Sequence, residues 1–143
     1  LKSYEDLSIF KIYCLDIGPL RVLSELSPKA YFSDSPAFKE YKGALAENYI
    51  LQSLLANGIK CSRYWASGNK AEVEFIVQHG MDVIPIEVKS GTSVTGKSLT
   101  EYNKKYSPSM RIRFSMLNLK RDDTLLNIPL FLADKVKYLC GMV

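Results

Sequence analysis

The spacing of hydrophobic and polar positions divides the chain into a few regular segments set apart by turn-forming residues. Residues 37–56 carry apolar side chains at helical spacing. At about 100° per residue, Phe38, Tyr41, Ala44, Leu45, Tyr49, Leu51, Leu54 and Leu55 fill one broad arc. Asn57-Gly58 supplies the stop. Residues 61–66, 71–78 and 82–89 are rich in β-branched and aromatic residues and predict strands, the last two joined by a turn at His79-Gly80. Residues 98–106 predict a short helix that Pro108 ends. From Met110 to Met116 the residues alternate as in a half-exposed strand. Residues 128–140 are apolar and fit either helix or strand. A short apolar run, 9–15, ends at Asp16 and Gly18, and residues 27–36, with Pro28, Pro36 and several Ser, read as a loop. The order helix, three strands, helix, strand predicts an α/β (α+β) fold with helices packed on a central mixed sheet.

One polar residue falls inside the apolar arc of the long helix. Glu47 lies between Leu54 and Leu51 on the wheel, so its carboxylate faces the core or a cleft and calls for a cation or a site mouth. The two predicted hairpin strands raise a second question. In Glu72-Val73-Glu74-Phe75-Ile76-Val77 both glutamates share a face; in Ile84-Pro85-Ile86-Glu87-Val88-Lys89, Glu87 and Lys89 share one. An even loop sets the glutamates of the first strand against Glu87. A two-residue loop pairs position 72 with 87, a four-residue loop pairs 74 with 87, and an odd loop breaks the arrangement. Like charges opposed across strands destabilise a sheet. Carboxylates converging beside one lysine make sense around a hard divalent cation such as Mg²⁺, which takes one or two carboxylates plus water. Such an ion polarises a phosphate oxygen and acidifies bound water, and the lysine can orient that water or stabilise developing charge. These are the parts needed for phosphodiester hydrolysis.

Composition and charge narrow the alternatives. The 143 residues are 47% apolar and 24% charged, which excludes intrinsic disorder as the main state. The chain is read as one domain, 1–143, with a core at 37–116 on which segments 1–36 and 117–143 pack. No apolar run is long enough to span a membrane. Cys14, Cys61 and Cys140 lie far apart in an odd count, which fits reduced thiols in a cytoplasmic protein better than disulfides or zinc. His79 sits in a turn without a partner for catalysis. Net charge is −1 over residues 1–36, zero over 37–96 and +5 over 97–143, summing to +4. The basic C-terminal third makes Lys97, Lys104, Lys105, Arg111 and Arg113, with Lys120 and Arg121, candidates for contact with nucleic acid.

The carboxylate–lysine pattern resembles the PD-(D/E)XK, or restriction-endonuclease-like, superfamily. The matching residues are Glu47 in Gly43-Ala44-Leu45-Ala46-Glu47-Asn48, Glu74 in Glu72-Val73-Glu74-Phe75, and Glu87-Val88-Lys89. Glu74 stands where that pattern usually has Asp. A resemblance covering nearly the whole chain is to the C-terminal domain of unknown function that follows an AAA-type ATPase domain and a winged helix in many prokaryotic proteins. It is carried by the segments Phe10 to Gly18, Gly43 to Asn48, Tyr64-Trp65, Ala71 to Phe75, Ile84 to Ser90 and Asn127 to Leu130. In that family Arg often follows the Trp; here it is Ala66. The resemblance implies a cytoplasmic C-terminal fragment of a longer ATPase, with ATP bound only by the upstream domain. It implies Mg²⁺ or Mn²⁺ on Glu74 and Glu87, support from Glu47, Lys89 acting on water or phosphate, and DNA as partner. The alternative is the same fold without turnover, serving DNA or protein recognition.

A second motif competes. Gly91-Thr92-Ser93-Val94-Thr95-Gly96-Lys97-Ser98 fits the phosphate-binding pattern G-x-x-x-x-G-K-[ST], and Leu130 to Asp134 resembles the acidic strand that accompanies it. Too little chain follows for a parallel nucleotide-binding sheet, and an antiparallel hairpin precedes it, so nucleotide binding at 91–98 ranks below the other readings. Tyr64 and Trp65 could stack on a base, but core packing of one and exposure of the other accounts for them better.

Overall fold

The computed structural model describes residues 5–25, 27, 29, 35–68 and 71–142. Helix α1 spans Ile17–Leu23, with Asp16 accepting from the Gly18 N–H as its cap. Helix α2 spans Pro36–Ala56. Strands β1 (Arg63–Ala66), β2 (Glu72–His79) and β3 (Asp82–Val88) follow, then α3 (Lys97–Tyr106), β4 (Arg111–Ser115), β5 (Lys120–Asp122) and β6 (Leu125–Pro129). A 3-10 turn at Leu130–Lys135 leads into α4 (Val136–Cys140). The strands form one mixed sheet in the order β1-β2-β3-β4-β6-β5. β3, β4 and β6 run parallel and the outer pairs antiparallel. The mixed α/β architecture and the order helix, three strands, helix, strand are as the sequence predicts.

The sheet has an apolar layer on each side. On one face Ile84, Ile86, Val88, Ile112, Phe114 and Ile128 pack with Ile50 and Leu54 of α2 and with Ala133, Val136 and Cys140. On the other, Leu99 and Tyr102 of α3 cover Val73 and Ile76, with Trp65 and Val83 alongside. Period-two alternation accounts for the split in β3, where Ile84 and Ile86 face α2 while Val83 faces α3.

Some expectations are corrected. The buried positions of α2 are Asn48, Ile50, Ser53 and Leu54, whereas Ala44 and Leu55 are exposed. The helix is covered on two sides, by the sheet and by the segment running from Lys11 into α1, so no single arc describes it. The run 9–15 is apolar, yet Ile9, Phe10, Ile12 and Leu15 point outward while Lys11 and Tyr13 turn in. Segment 128–140 is strand end, 3-10 turn and helix in succession, and residues 130–134 are therefore not the acidic strand of a nucleotide site. Much of the predicted loop 27–36 lies outside the described residues. No helix among the described residues is long and apolar enough to cross a membrane.

Candidate active site

The β2–β3 hairpin turns through Gly80, which takes the left-handed conformation at φ 59° that a two-residue turn requires. The register pairs Phe75 with Ile86, Ile76 with Pro85, Val77 with Ile84, Gln78 with Val83 and His79 with Asp82. Carried one step further, it sets Glu74 across from Glu87. The sequence reading ties this pairing to a four-residue loop; the turn is instead the two residues Gly80-Met81, one position beyond the expected His79-Gly80, and that shift opposes 74 to 87. The regular β2–β3 ladder ends at Phe75–Ile86, beside a bulge in the β1–β2 pairing where β2 carries an extra residue. Past that end the Val88 N–H donates to Glu74 Oε2 at 3.2 Å.

Glu87 is 1% exposed. Its Oε2 accepts from Arg113 Nε at 2.9 Å, an ion pair between neighbouring parallel strands that the Glu87–Arg113 register makes possible. Its Oε1 is buried without a hydrogen-bond partner. Lys89 Nζ stands 3.4 Å from that oxygen and 3.8 Å from Glu74 Oε1. One oxygen from each glutamate, Glu87 Oε1 and Glu74 Oε1, thus flanks one ammonium. Burial pushes the Glu74 carboxyl up to about 7, against the opposing pull of Lys89 and two backbone N–H groups.

Glu47 lies beside this pair, on α2. Its Oε2 is 3.4 Å from the Tyr13 hydroxyl, which donates to it, and 3.8 Å from Lys11 Nζ. Lys11 also pairs with Glu72. Burial raises the Glu47 carboxyl, with Glu72 adding and Lys11 opposing. Burial and the charge of Glu47 raise the Tyr13 phenol. Burial works to lower Lys11, but Glu72 and Glu47 outweigh it and the ammonium is held above its ordinary value. The segment bearing Lys11 and Tyr13 is fixed by Asn48, whose Oδ1 accepts from the Cys14 N–H at 2.9 Å and whose Nδ2 donates to the Cys14 carbonyl at 3.2 Å.

The structure therefore brings Glu74, Glu87 and Lys89 together and sets Glu47 at their side. Arg113, expected among the exposed basic residues, is instead buried against Glu87. Lys97, Lys104 and Lys105 are exposed on α3, with Lys104 paired to Glu101, and Arg111 bonds Thr124. Lys11, Tyr13 and Asn48 carry no site pattern of their own. The signal that finds them is the pair Glu47-Asn48, a carboxylate and an amide adjacent on one helix that each need a partner. Among the described residues no group of three or more His, Cys, Asp or Glu side chains is arranged to hold a metal ion. A divalent cation would depend on Glu74 and Glu87 with water.

The G-x-x-x-x-G-K-S segment does join a strand to a helix, inside the β3–α3–β4 parallel crossover. Its second glycine has a packing reason. Gly96 takes φ 55°, and a Cβ there would run into Arg113 Nη2. Thr92, Ser93, Thr95 and Lys97 are exposed.

The mixed sheet with its carboxylate–lysine hairpin falls within a described family. Residues 42–131, well over half of the chain, match the family model described as Domain of unknown function (DUF4143), and the chain belongs to that family. The match includes Glu47, Glu74, Glu87 and Lys89, while Lys11 and Tyr13 precede it. No curated protein and no solved structure matches it.

Proposed function

We propose that this domain hydrolyses phosphodiester bonds of DNA with a divalent cation, as a PD-(D/E)XK-type module attached to an AAA-type ATPase. One observation carries the reading. Glu87 Oε1 is buried without a hydrogen-bond partner, and it and Glu74 Oε1 both face Lys89 Nζ. An unpartnered buried carboxylate oxygen is costly to maintain and fits a site built for a cation. Mg²⁺ or Mn²⁺ would sit on these two glutamates and supply Lewis acidity to a phosphate oxygen. Arg113 orients Glu87 by holding its other oxygen. The Val88 N–H does the same for Glu74. Lys89, half-buried at the mouth, is placed to hold an attacking water or a phosphate oxygen. Glu47 and Tyr13 stand where they can order water beside Glu74.

The test is cleavage of plasmid and linear DNA with Mg²⁺ or Mn²⁺. We expect cleavage that EDTA stops and that Lys89→Ala reduces by about 100-fold or more, in the range of one lost electrostatic or proton-transfer group. Cleavage unaffected by Lys89→Ala would refute the assignment.

A second reading, recognition without turnover, is favoured by a different observation. Arg113 and Lys89 already balance Glu74 and Glu87 charge for charge. On that reading the same residues rigidify the sheet, and DNA binds without being cut.

A further inference from the structure

An open cleft of about 430 Å³ is lined by α2, the Lys11–Tyr13 segment, residues 60–64 and the Glu74-Phe75 pair of β2. Leu51 and Leu55 of α2, Tyr13, Tyr64 and Phe75 supply its apolar lining, and Lys11, Lys60 and Arg63 its cations. The rings are already organised. Tyr13 and Phe75 are tilted at 43° with centroids 5.8 Å apart, and Lys11 Nζ lies 5.2 Å over the Tyr64 ring. Glu72 and Glu5 pair with Lys11 and Arg63 and hold these cations in place. Lys60 is exposed and makes no ion pair among the described residues.

We propose that this cleft takes one unpaired nucleotide, its base against Tyr13 and Tyr64 and its phosphate at Lys60. The inference rests on the phosphodiester reading above and names its substrate class, a strand with unpaired nucleotides in place of intact duplex. Three features carry it. The volume suits a single nucleotide, at the small end of ligand sites. A π-lined, apolar wall accepts any base, because every base has a stackable face. Glu74 is itself part of the cleft wall, so a nucleotide seated there brings its adjoining phosphodiester toward the carboxylate–lysine site. Since carboxylates already balance Lys11 and Arg63, only about one phosphate contact is strong. A single-strand salt slope near −0.7 follows.

The experiment is fluorescence anisotropy of a labelled ten-nucleotide oligothymidylate with the whole chain in EDTA. The matching duplex and free thymidine monophosphate serve as competitors. We expect the single strand to bind at least tenfold more tightly than the duplex. Two variants at exposed positions test the cleft itself. Leu55→Glu, which places a charge among the rings, and Lys60→Glu should each weaken single-strand binding about tenfold or more, and Lys60→Glu should flatten the salt slope. Equal binding of duplex, or binding unchanged in both variants, would overturn the proposal. Competition by the monophosphate at equal concentration would also overturn it, since a free nucleotide would then be the ligand. A Mn²⁺ titration run in parallel separates the two ideas. Oligonucleotide binding without metal binding supports the cleft and removes the metal reading alone.

Discussion

Replacing Arg113 is the sharpest test of how this sheet carries its buried charge. Arg113 is 9% exposed and Glu87 1%, and the two meet at 2.9 Å. Truncation to Ala strands Glu87 in the protein interior. Removing one partner of a buried ion pair costs about 3–5 kcal/mol. Lys89 Nζ remains 3.4 Å from the orphaned carboxylate and is itself partly solvated, which places the loss near the lower end, about 3 kcal/mol. With a urea slope of about 2 kcal/mol per molar for a domain of this size, the midpoint should fall by about 1.5 M. The assay is urea unfolding at neutral pH followed by Trp65 fluorescence, with circular dichroism as the second probe. An apolar pair, Arg113→Met with Glu87→Leu, should recover most of the loss, because isosteric replacement of both charges removes the desolvation cost together with the attraction. A loss below about 1 kcal/mol in Arg113→Ala, or a double variant whose losses simply add, would refute the reasoning.

Three further outcomes follow from the same geometry. Glu74 keeps its proton to about pH 7 in the folded state against 4.5 ordinarily, so the native state binds more protons between these values. Its contribution to stability is then lost as pH rises from 4.5 to 7, by at most about 3 kcal/mol, and Glu74→Gln should flatten that part of the stability–pH curve. Asn48→Ala should release the segment bearing Lys11 and Tyr13, at a cost of about 1–3 kcal/mol, seen as loss of hydrogen-exchange protection at the Cys14 amide. Gly96→Ala should cost more than about 1 kcal/mol and shift the Arg113 side-chain resonances, because φ 55° and the guanidinium both exclude a Cβ.

What was legible in the sequence follows the reach of each interaction. Turn chemistry and period two placed the β2–β3 hairpin and the face that carries its glutamates, because both are local, but the choice of Glu74 over Glu72 opposite Glu87 depended on a one-residue shift of the turn to Gly80-Met81. The Asn57-Gly58 stop held for the same reason, with Gly58 at φ 69°. The β5–β6 hairpin was missed, since β5 is the short, charged run Lys120–Asp122 and looks like solvated surface. A buried role for Arg113 was hidden as well. Its partner Glu87 is distant in sequence, and only the parallel β3–β4 register brings them side by side. The second cover on α2 depends on residues 11–18 crossing over it, a long-range packing fact that no helical wheel contains.

The central claim is that Glu74 and Glu87 converge to share a cation. The most direct measurement is calorimetric titration of Mn²⁺ into the intact domain at pH 8, where Glu74 is ionised, and again at pH 6. Saturable one-site binding is expected at pH 8, weakening at pH 6 and disappearing in Glu74→Gln and in Glu87→Gln, the latter keeping an acceptor for Arg113. No saturable heat at pH 8, or binding that survives both substitutions, would contradict it.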